Sequence, residues 1–69
     1  MDRQPVSSST IASIGYDPAT ETLEIEFHKT GLYRYFNVPQ VVHESFITAT
    51  SHGTFLNSHI KGQYAYERA

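Results

Sequence analysis

The four histidines are the first residues to test for chemistry, because a neutral imidazole is a good metal ligand. Their spacing argues against a shared ion. His52 and His59 are seven residues apart, which is about 10 Å along an α-helix and too far for one metal. His28 falls on a strand face predicted to be solvated, and His43 falls on a predicted helix. With no cysteine and no His-x-x-x-His pair, the sequence predicts no metal site and no cofactor.

Catalysis by a nucleophile or by paired carboxylates has equally little support. Ser51, His52 and Asp17 supply the residue types of a catalytic triad, but no Gly-x-Ser-x-Gly elbow frames a serine. Glu24 and Glu26 share one strand face, for which a solvated surface is the simpler interpretation. A chain of 69 residues has few residues with which to enclose a reaction centre and exclude water from it. We therefore expect a domain that is not an enzyme and has no small-molecule substrate.

The basic side chains best placed to bind an anion lie in the C-terminal part of the chain, where they are not outnumbered by acidic residues. Residues 1–42 carry five acids against three bases, whereas residues 43–69 carry two of each. The formal charge of −2 counts against a strongly basic nucleic-acid footprint. Any nucleic-acid contact is therefore predicted to use a small set of C-terminal residues, namely Lys61, Arg68, Asn57, His52 and His59.

Nine of the 69 residues are aromatic, which is more than a thin core hides easily. On a face open to solvent, Tyr33 and Tyr35 beside a basic residue would stack unpaired bases. The predicted register turns both rings toward the core, so we favour a packing role for this pair. Near the C-terminus, Tyr64 and Tyr66 are the candidate rings for docking a protein partner or a second copy.

Alternating apolar residues predict three strands ahead of these C-terminal residues. Turns over residues 17–20 and 29–31 separate the strands, and Gly31 fits a loop position that requires a positive φ. The turns set a register whose predicted pairs are Tyr16 with Leu23, Ile14 with Ile25, Phe27 with Tyr33, Ile25 with Tyr35, Glu26 with Arg34, and His28 with Leu32. All three strands then share one apolar face, as expected for an antiparallel meander.

Two short helices are predicted after the meander. Pro39 suits a first turn, and Val42 and Phe46 recur at helical spacing. A second helix ends near Gly62, and its start is open because residues 50–54 contain both a good N-cap and a glycine that could end the first helix. Residues 63–69 alternate again, which predicts either a short strand or an extended tail.

The predicted fold class is α+β, with a three-stranded antiparallel β-meander followed by two short helices packed on one face of the sheet. Residues 1–8 are polar and lack periodicity, so we expect a flexible N-terminal segment before a single domain over residues 9–69. No apolar stretch resembles a signal peptide or reaches the roughly 18 residues that a membrane span requires. A cytoplasmic protein without membrane contact is the resulting expectation.

The order of these motifs resembles the KTSC domain family over roughly residues 9–66. The similar segments are Ile14-Gly15-Tyr16-Asp17, Leu23-x-Ile25-x-Phe27, Gly31-x-Tyr33-x-Tyr35, Val38-Pro39, and Ala49-x-Ser51-x-Gly53-x-Phe55-x-Asn57-x-x-Ile60. The resemblance implies a small domain that occurs alone in bacterial and phage proteins and at the C-terminus of some lysyl-tRNA synthetases. The second context suggests RNA binding, and the family offers no catalytic residues to carry over.

Two functions are therefore expected, from different classes. The first is a non-enzymatic accessory module that binds RNA through the second helix and the C-terminal residues. The alternative is a protein-interaction or self-association module with an aromatic docking surface. The synthetase context favours the first, and the number of aromatic residues favours the second.

Overall fold

The chain folds into one antiparallel sheet with two helices on one face, and the structure, a computed structural model, describes residues 3–69. The elements in chain order are β1 (Arg3–Pro5), β2 (Ile11–Asp17), β3 (Thr22–Phe27), β4 (Gly31–Tyr35), α1 (Gln40–Ile47), α2 (His52–Phe55), a π-helical turn (Leu56–Ile60) that continues α2, and β5 (Tyr66–Arg68). The α+β class and the two helices are confirmed. The sheet has five strands, so the three-stranded prediction is wrong in its strand count.

The two additional strands are the edges of the sheet, whose order is β1-β2-β3-β4-β5. β1 lies in the segment predicted to be flexible, where Arg3 pairs with Gly15 of β2. Its three residues are all exposed, so no apolar alternation marked them as a strand. For the C-terminal residues, the prediction of a short strand is correct and that of an extended tail is not, because β5 pairs with β4. Met1 and Asp2, the start of the predicted flexible segment, lie outside the described residues.

The register between β2 and β3 is confirmed, since Tyr16 lies opposite Leu23 and Ile14 opposite Ile25. The register between β3 and β4 differs from the prediction by two residues. The observed pairs are Leu23 with Tyr35, Glu24 with Arg34, Ile25 with Tyr33, Glu26 with Leu32, and Phe27 with Gly31. Because side chains alternate with period two, this shift leaves every side chain on its predicted face.

The position of Gly31 explains the shift. Its φ is 95°, so the expectation of a left-handed conformation is confirmed. Gly31 is, however, the first residue of β4 rather than the last residue of the loop, because it pairs with Phe27. The loop therefore consists of residues 28–30, and His28 lies in it instead of opposite Leu32.

The helices cover the apolar face of the sheet, as predicted. One buried cluster joins residues from β2, β3, β4, the segment before α1, α1 and the π-turn, namely Ile11, Ile14, Leu23, Ile25, Tyr35, Val38, Phe46, Leu56 and Ile60. Tyr16 connects the sheet to α1 and to the segment before it. Its hydroxyl donates to the Val38 carbonyl, and its ring stacks on His43 of α1 with centroids 4.6 Å apart. The result is a two-layer domain.

The second helix begins at an N-cap and ends in a wide turn. The Ser51 hydroxyl accepts a hydrogen bond from the Thr54 amide at 3.3 Å, so Ser51 is the N-cap and Gly53 lies inside α2. In the π-turn the Lys61 amide donates to the Leu56 carbonyl, five residues back, at 2.8 Å. Turns of this kind occur often at functional sites. The helical segment ends at Ile60, and Gly62, with a φ of 82°, lies in the turn that follows.

Candidate functional site

The uncovered face of the sheet carries a row of charges that runs across all five strands. Arg3, Gly15, Glu24, Arg34 and Glu67 occupy successive paired positions. Because Gly15 has no side chain, Arg3 reaches across β2, and its Nη1 lies 2.7 Å from Glu24 Oε1. Arg34 lies 3.1 Å from the other Glu24 oxygen and 3.9 Å from Glu67. The two arginines are therefore occupied by carboxylates within the sheet.

Glu24 is the centre of this row and is only 7% exposed. Burial by itself raises the pKa of its carboxyl, but hydrogen bonds and attraction from Arg3 and Arg34 outweigh burial and hold the pKa below its usual range. Glu24 is thus a charged partner in an ion-pair network. A carboxylate held in this state is poorly suited to act as a general acid or base near neutral pH.

The opposite face contains a groove of about 370 Å³, which we call the aromatic groove, where the helices leave the end of the sheet open. Buried Tyr35 and Leu56 form its floor, and Phe27, Tyr33 and Tyr66 form its sheet wall. The Phe27 and Tyr33 rings meet edge to face at 5.4 Å. Tyr66 lies 5.8 Å from Tyr33 and 5.4 Å from Tyr35 between ring centroids. These side chains form a continuous aromatic surface.

The other wall of the aromatic groove is polar and comes from the π-turn. Asn57 and Lys61 line it, followed by Gly62. At the rim, the Arg68 guanidinium lies 6.0 Å from the centre of the Tyr33 ring, within cation–π distance. Among residues 3–69, no carboxylate lines the groove. The site therefore combines aromatic surface with positive charge.

Burial raises the pKa of the Tyr35 hydroxyl, and the neighbouring Tyr66 and Tyr33 raise it further. The floor of the aromatic groove therefore stays protonated and uncharged at neutral pH. Tyr66 is 59% exposed, so its ring is available to a ligand. Stacking and hydrogen bonding are the chemistry that this arrangement supports.

The KTSC domain family model matches residues 7–64. The chain belongs to the KTSC domain family. The crystal structure of a KTSC domain protein from Yersinia pestis has the same fold with a TM-score of 0.98 and 47% sequence identity, covering 99% of this chain and 96% of that one. The earlier resemblance is confirmed. β1 and β5, including Tyr66 and Arg68, lie outside the matched range.

Two sequence relatives differ greatly in length. A protein from Stutzerimonas stutzeri is 42% identical over 69 residues, which cover 99% of this KTSC domain and 97% of that protein. A lysine–tRNA ligase from a Nostoc species is 42% identical over 60 residues, which cover 87% of this chain but 11% of the ligase. This chain thus spans about a tenth of the ligase.

The KTSC fold brings together four of the predicted ligand residues and separates the others. Asn57, Lys61 and Tyr66 line the aromatic groove, and Arg68 lies at its rim. His59 lies apart from these four, with its ring against Phe55 at 4.6 Å.

His52 and Tyr64 also lie outside the aromatic groove. An His52 ring nitrogen lies 3.2 Å from the Ile47 carbonyl, and the His52 ring is 6.0 Å from Phe46, so His52 helps to pack the helices. Tyr64 lines a separate depression beside α1, with Val41. The two predicted docking tyrosines, Tyr64 and Tyr66, therefore belong to different surfaces.

Sequence reasoning missed two parts of this region. Tyr33 packs against the core cluster, as predicted for it and Tyr35, but it is only half-buried and also lines the aromatic groove, which was not predicted. Lys29 belongs to residues 1–42, which were predicted not to contribute to an anion site. It nevertheless lies next to the aromatic groove, in a depression that shares Phe27 and Thr30 with it. The hairpin loop brings it there, and only the correct register reveals this.

Within residues 3–69, no group of three or more histidine, cysteine or acidic side chains is placed to hold a metal ion. None of the helices in this part of the chain has the length and apolar character required to cross a bilayer.

Proposed function

We propose that this KTSC domain is an RNA-binding accessory module whose aromatic groove holds an unpaired base. The observation that carries the proposal is the open aromatic surface of Tyr33 and Tyr66, with Lys61 and Arg68 beside it and no carboxylate among the described lining residues. Proteins that bind single strands combine these two components, a stacking surface and a positively charged border.

Stacking supplies the attraction that does not depend on charge. A nucleobase that lies against Tyr66 covers a ring that is otherwise 59% exposed. Stacking of one base on an aromatic side chain contributes about 1–3 kcal/mol to binding. Asn57, on the opposite wall, offers an amide donor and acceptor to the edge of the same base.

The charge distribution supports RNA binding more than the net charge of −2 suggests. Glu24 and Glu67 lie on the other face of the sheet, where Arg3 and Arg34 pair with them. Lys61 makes no ion pair within residues 3–69, where the pairs involve only Arg3 and Arg34. It is therefore available to a phosphate at the groove.

The ligase relative adds context. A lysine–tRNA ligase acts on tRNA, and one segment of the Nostoc enzyme is 42% identical to this chain. An RNA-binding module appended to that enzyme would add contacts to its substrate.

The test is filter binding of a mixed single-stranded RNA pool at low and moderate salt. Binding should weaken as salt rises, because phosphate contacts release counterions. Lys61→Gln should reduce the affinity and lower the salt slope by about one unit. Gln40→Glu, which makes the same change in net charge on α1, away from the groove, is the matched control and should have little effect.

A second pair of variants tests the stacking contribution. Tyr66→Leu should lower the affinity about tenfold or more, whereas Tyr66→Phe, which keeps the ring, should retain most of it. Val41→Ala, on an exposed position of α1, controls for loss of apolar surface. Absence of RNA retention by the wild type even at low salt would overturn the proposal.

The surface beside α1 supports protein interaction as the second candidate function. Val41 is 65% exposed and borders a depression with Phe55, His59 and Tyr64. A contact at this surface should be lost on Tyr64→Ala and retained on Tyr66→Leu. Light scattering at increasing protein concentration detects self-association, and crosslinking followed by mass spectrometry locates it.

A further inference from the structure

A second cleft adjoins the aromatic groove. It lies between residues 7–10 and residues 50–54, has a volume of about 370 Å³, and shares Thr10 and Asn57 with the groove. We call it the hydroxyl cleft, because serine and threonine side chains make up most of its lining. Thr10 and Asn57 therefore lie on the border between the two clefts.

Only some of these hydroxyls are used by the fold. Ser8 Oγ accepts hydrogen bonds from the Thr10 and Ile11 amides, both at 3.2 Å. Ser51 Oγ bonds to Thr54, as part of the N-cap. Four further hydroxyls lining the cleft belong to the exposed residues Ser7, Ser9, Thr10 and Thr50, and they make no hydrogen bond to any residue between 3 and 69. They are available to a ligand.

The hydroxyl cleft is free of full charges. No lysine, arginine, aspartate or glutamate of the described chain lines it, and the His52 ring already contacts the Ile47 carbonyl. A phosphate group is best held by a cation, and a metal ion by carboxylates. A neutral hydroxyl, which both donates and accepts, is the complement of serine and threonine hydroxyls.

Taken with the proposed function, on which this inference rests, the geometry points to a ribose subsite. We propose that the hydroxyl cleft binds the 2′-hydroxyl of a nucleotide adjoining the base in the aromatic groove, so that the domain selects RNA over DNA. The 2′-hydroxyl is the group that distinguishes the two polymers. Ser9 and Thr50, which line the cleft from its two segments, would supply the donor and the acceptor for this hydroxyl.

The experiment compares a short oligoadenylate made with ribose, with deoxyribose, and with 2′-O-methylribose, each titrated by fluorescence anisotropy at low salt. The ribose form should bind about three- to tenfold more tightly than the deoxyribose form, as expected for one or two hydrogen bonds. The methylated form, which cannot donate, should also bind more weakly than the ribose form.

The double variant Ser9→Ala with Thr50→Val should lower RNA affinity to the DNA value and leave DNA affinity unchanged. Ser45→Ala, on α1 outside both clefts, should change neither. Amide NMR shifts provide a second measurement on the wild type, in which residues 7–10 and 50–54 should respond to the ribose oligomer but not to the deoxyribose oligomer.

Two outcomes separate this inference from the proposal beneath it. Equal affinity for the ribose and deoxyribose oligomers, with the same amide shifts, would overturn the ribose subsite and leave RNA binding standing. Failure of both oligomers and of the RNA pool to bind at low salt would remove RNA binding itself, and the subsite with it.

Discussion

Tyr33 and Tyr35 lie two residues apart on β4 and on the same face, yet their surroundings differ. Tyr35 lies opposite Leu23 and is 4% exposed. Tyr33 is half-buried. Its ring meets that of Phe27 edge to face, and the Arg68 guanidinium lies 6.0 Å from its ring centre. Tyr35 is therefore a core residue, while Tyr33 packs against the core and leaves part of its ring exposed in the aromatic groove.

Substitution of Gly31 should destabilise the domain through backbone strain. Its φ of 95° is unfavourable for residues with a Cβ, while the space around it is empty, with nothing within 4 Å of an added Cβ. Gly31→Val should therefore lower the free energy of unfolding by more than about 1 kcal/mol. Urea denaturation followed by circular dichroism measures the change.

Gly53→Ala is the matched control for this prediction. Gly53 lies in α2, and an added Cβ would lie 4.0 Å from Thr10 Oγ1, an ordinary contact. Alanine should stabilise the domain there by about 0.5–1 kcal/mol. Equal unfolding midpoints for Gly31→Val and the wild type would contradict the strain argument.

At the scale of elements, strong alternation made the central strands predictable. Leu23, Ile25 and Phe27 define β3 and its buried face, whichever register is chosen. β1 was missed because Arg3–Pro5 has no apolar side to bury, so its pairing depends on the tertiary structure. The π-turn was missed because the spacing of Leu56 and Ile60 suits an ordinary helix as well.

The aromatic groove was predictable in its residues but not in its construction. The charge balance singled out Lys61 and Arg68 from the sequence, and Asn57 was added because it lies four residues before Lys61 on the predicted helix. That Tyr66 and Tyr33 would form the facing wall depends on the pairing of β5 with β4. Long-range pairing of a three-residue strand has no local sequence signal.

The edge strands should open independently of the rest of the sheet. All residues of β1 and β5 are exposed, whereas Ile25, in the central strand, is fully buried. Native-state hydrogen exchange should show that the Ile25 amide exchanges only through global unfolding and that amides of β1 and β5 exchange through local opening. Equal protection of Ile25 and Glu67 would contradict this expectation.

For the molecule as a whole, stability should fall in two stages as the pH is lowered. Burial lowers the pKa of His43, and the smaller effect of Glu44 opposes this shift. As the pH falls, the His43 imidazole is therefore protonated in the unfolded chain before it is protonated in the folded domain. The free energy of unfolding then decreases below the unfolded pKa of about 6.5. Glu24 has a lowered pKa, so its contribution is present above about pH 4.3 and is lost as the pH falls through its folded value.

Variants of His43 and Glu24 test which side chain causes each of the two stages. His43→Phe, which keeps a ring against Tyr16, should remove the first stage. Glu24→Gln should remove the second and cost about 1–3 kcal/mol at neutral pH, because Arg3 and Arg34 lose a charged acceptor. Glu21→Gln, at an exposed carboxylate, is the control and should change stability by less than about 0.5 kcal/mol. Denaturant titrations between pH 8 and pH 3 measure all three.

The separation of charge between the two faces of the sheet also affects how the domain approaches a polyanion. On one face, the three carboxylates of Glu24, Glu26 and Glu67 exceed the two guanidinium groups of Arg3 and Arg34 by one charge, whereas Lys61 and Arg68 lie on the other face. The molecule therefore carries an electric dipole across its two layers despite its small net charge. For the proposed RNA binding, this dipole should rotate the domain before contact, so that the aromatic groove arrives first and a larger share of collisions is productive.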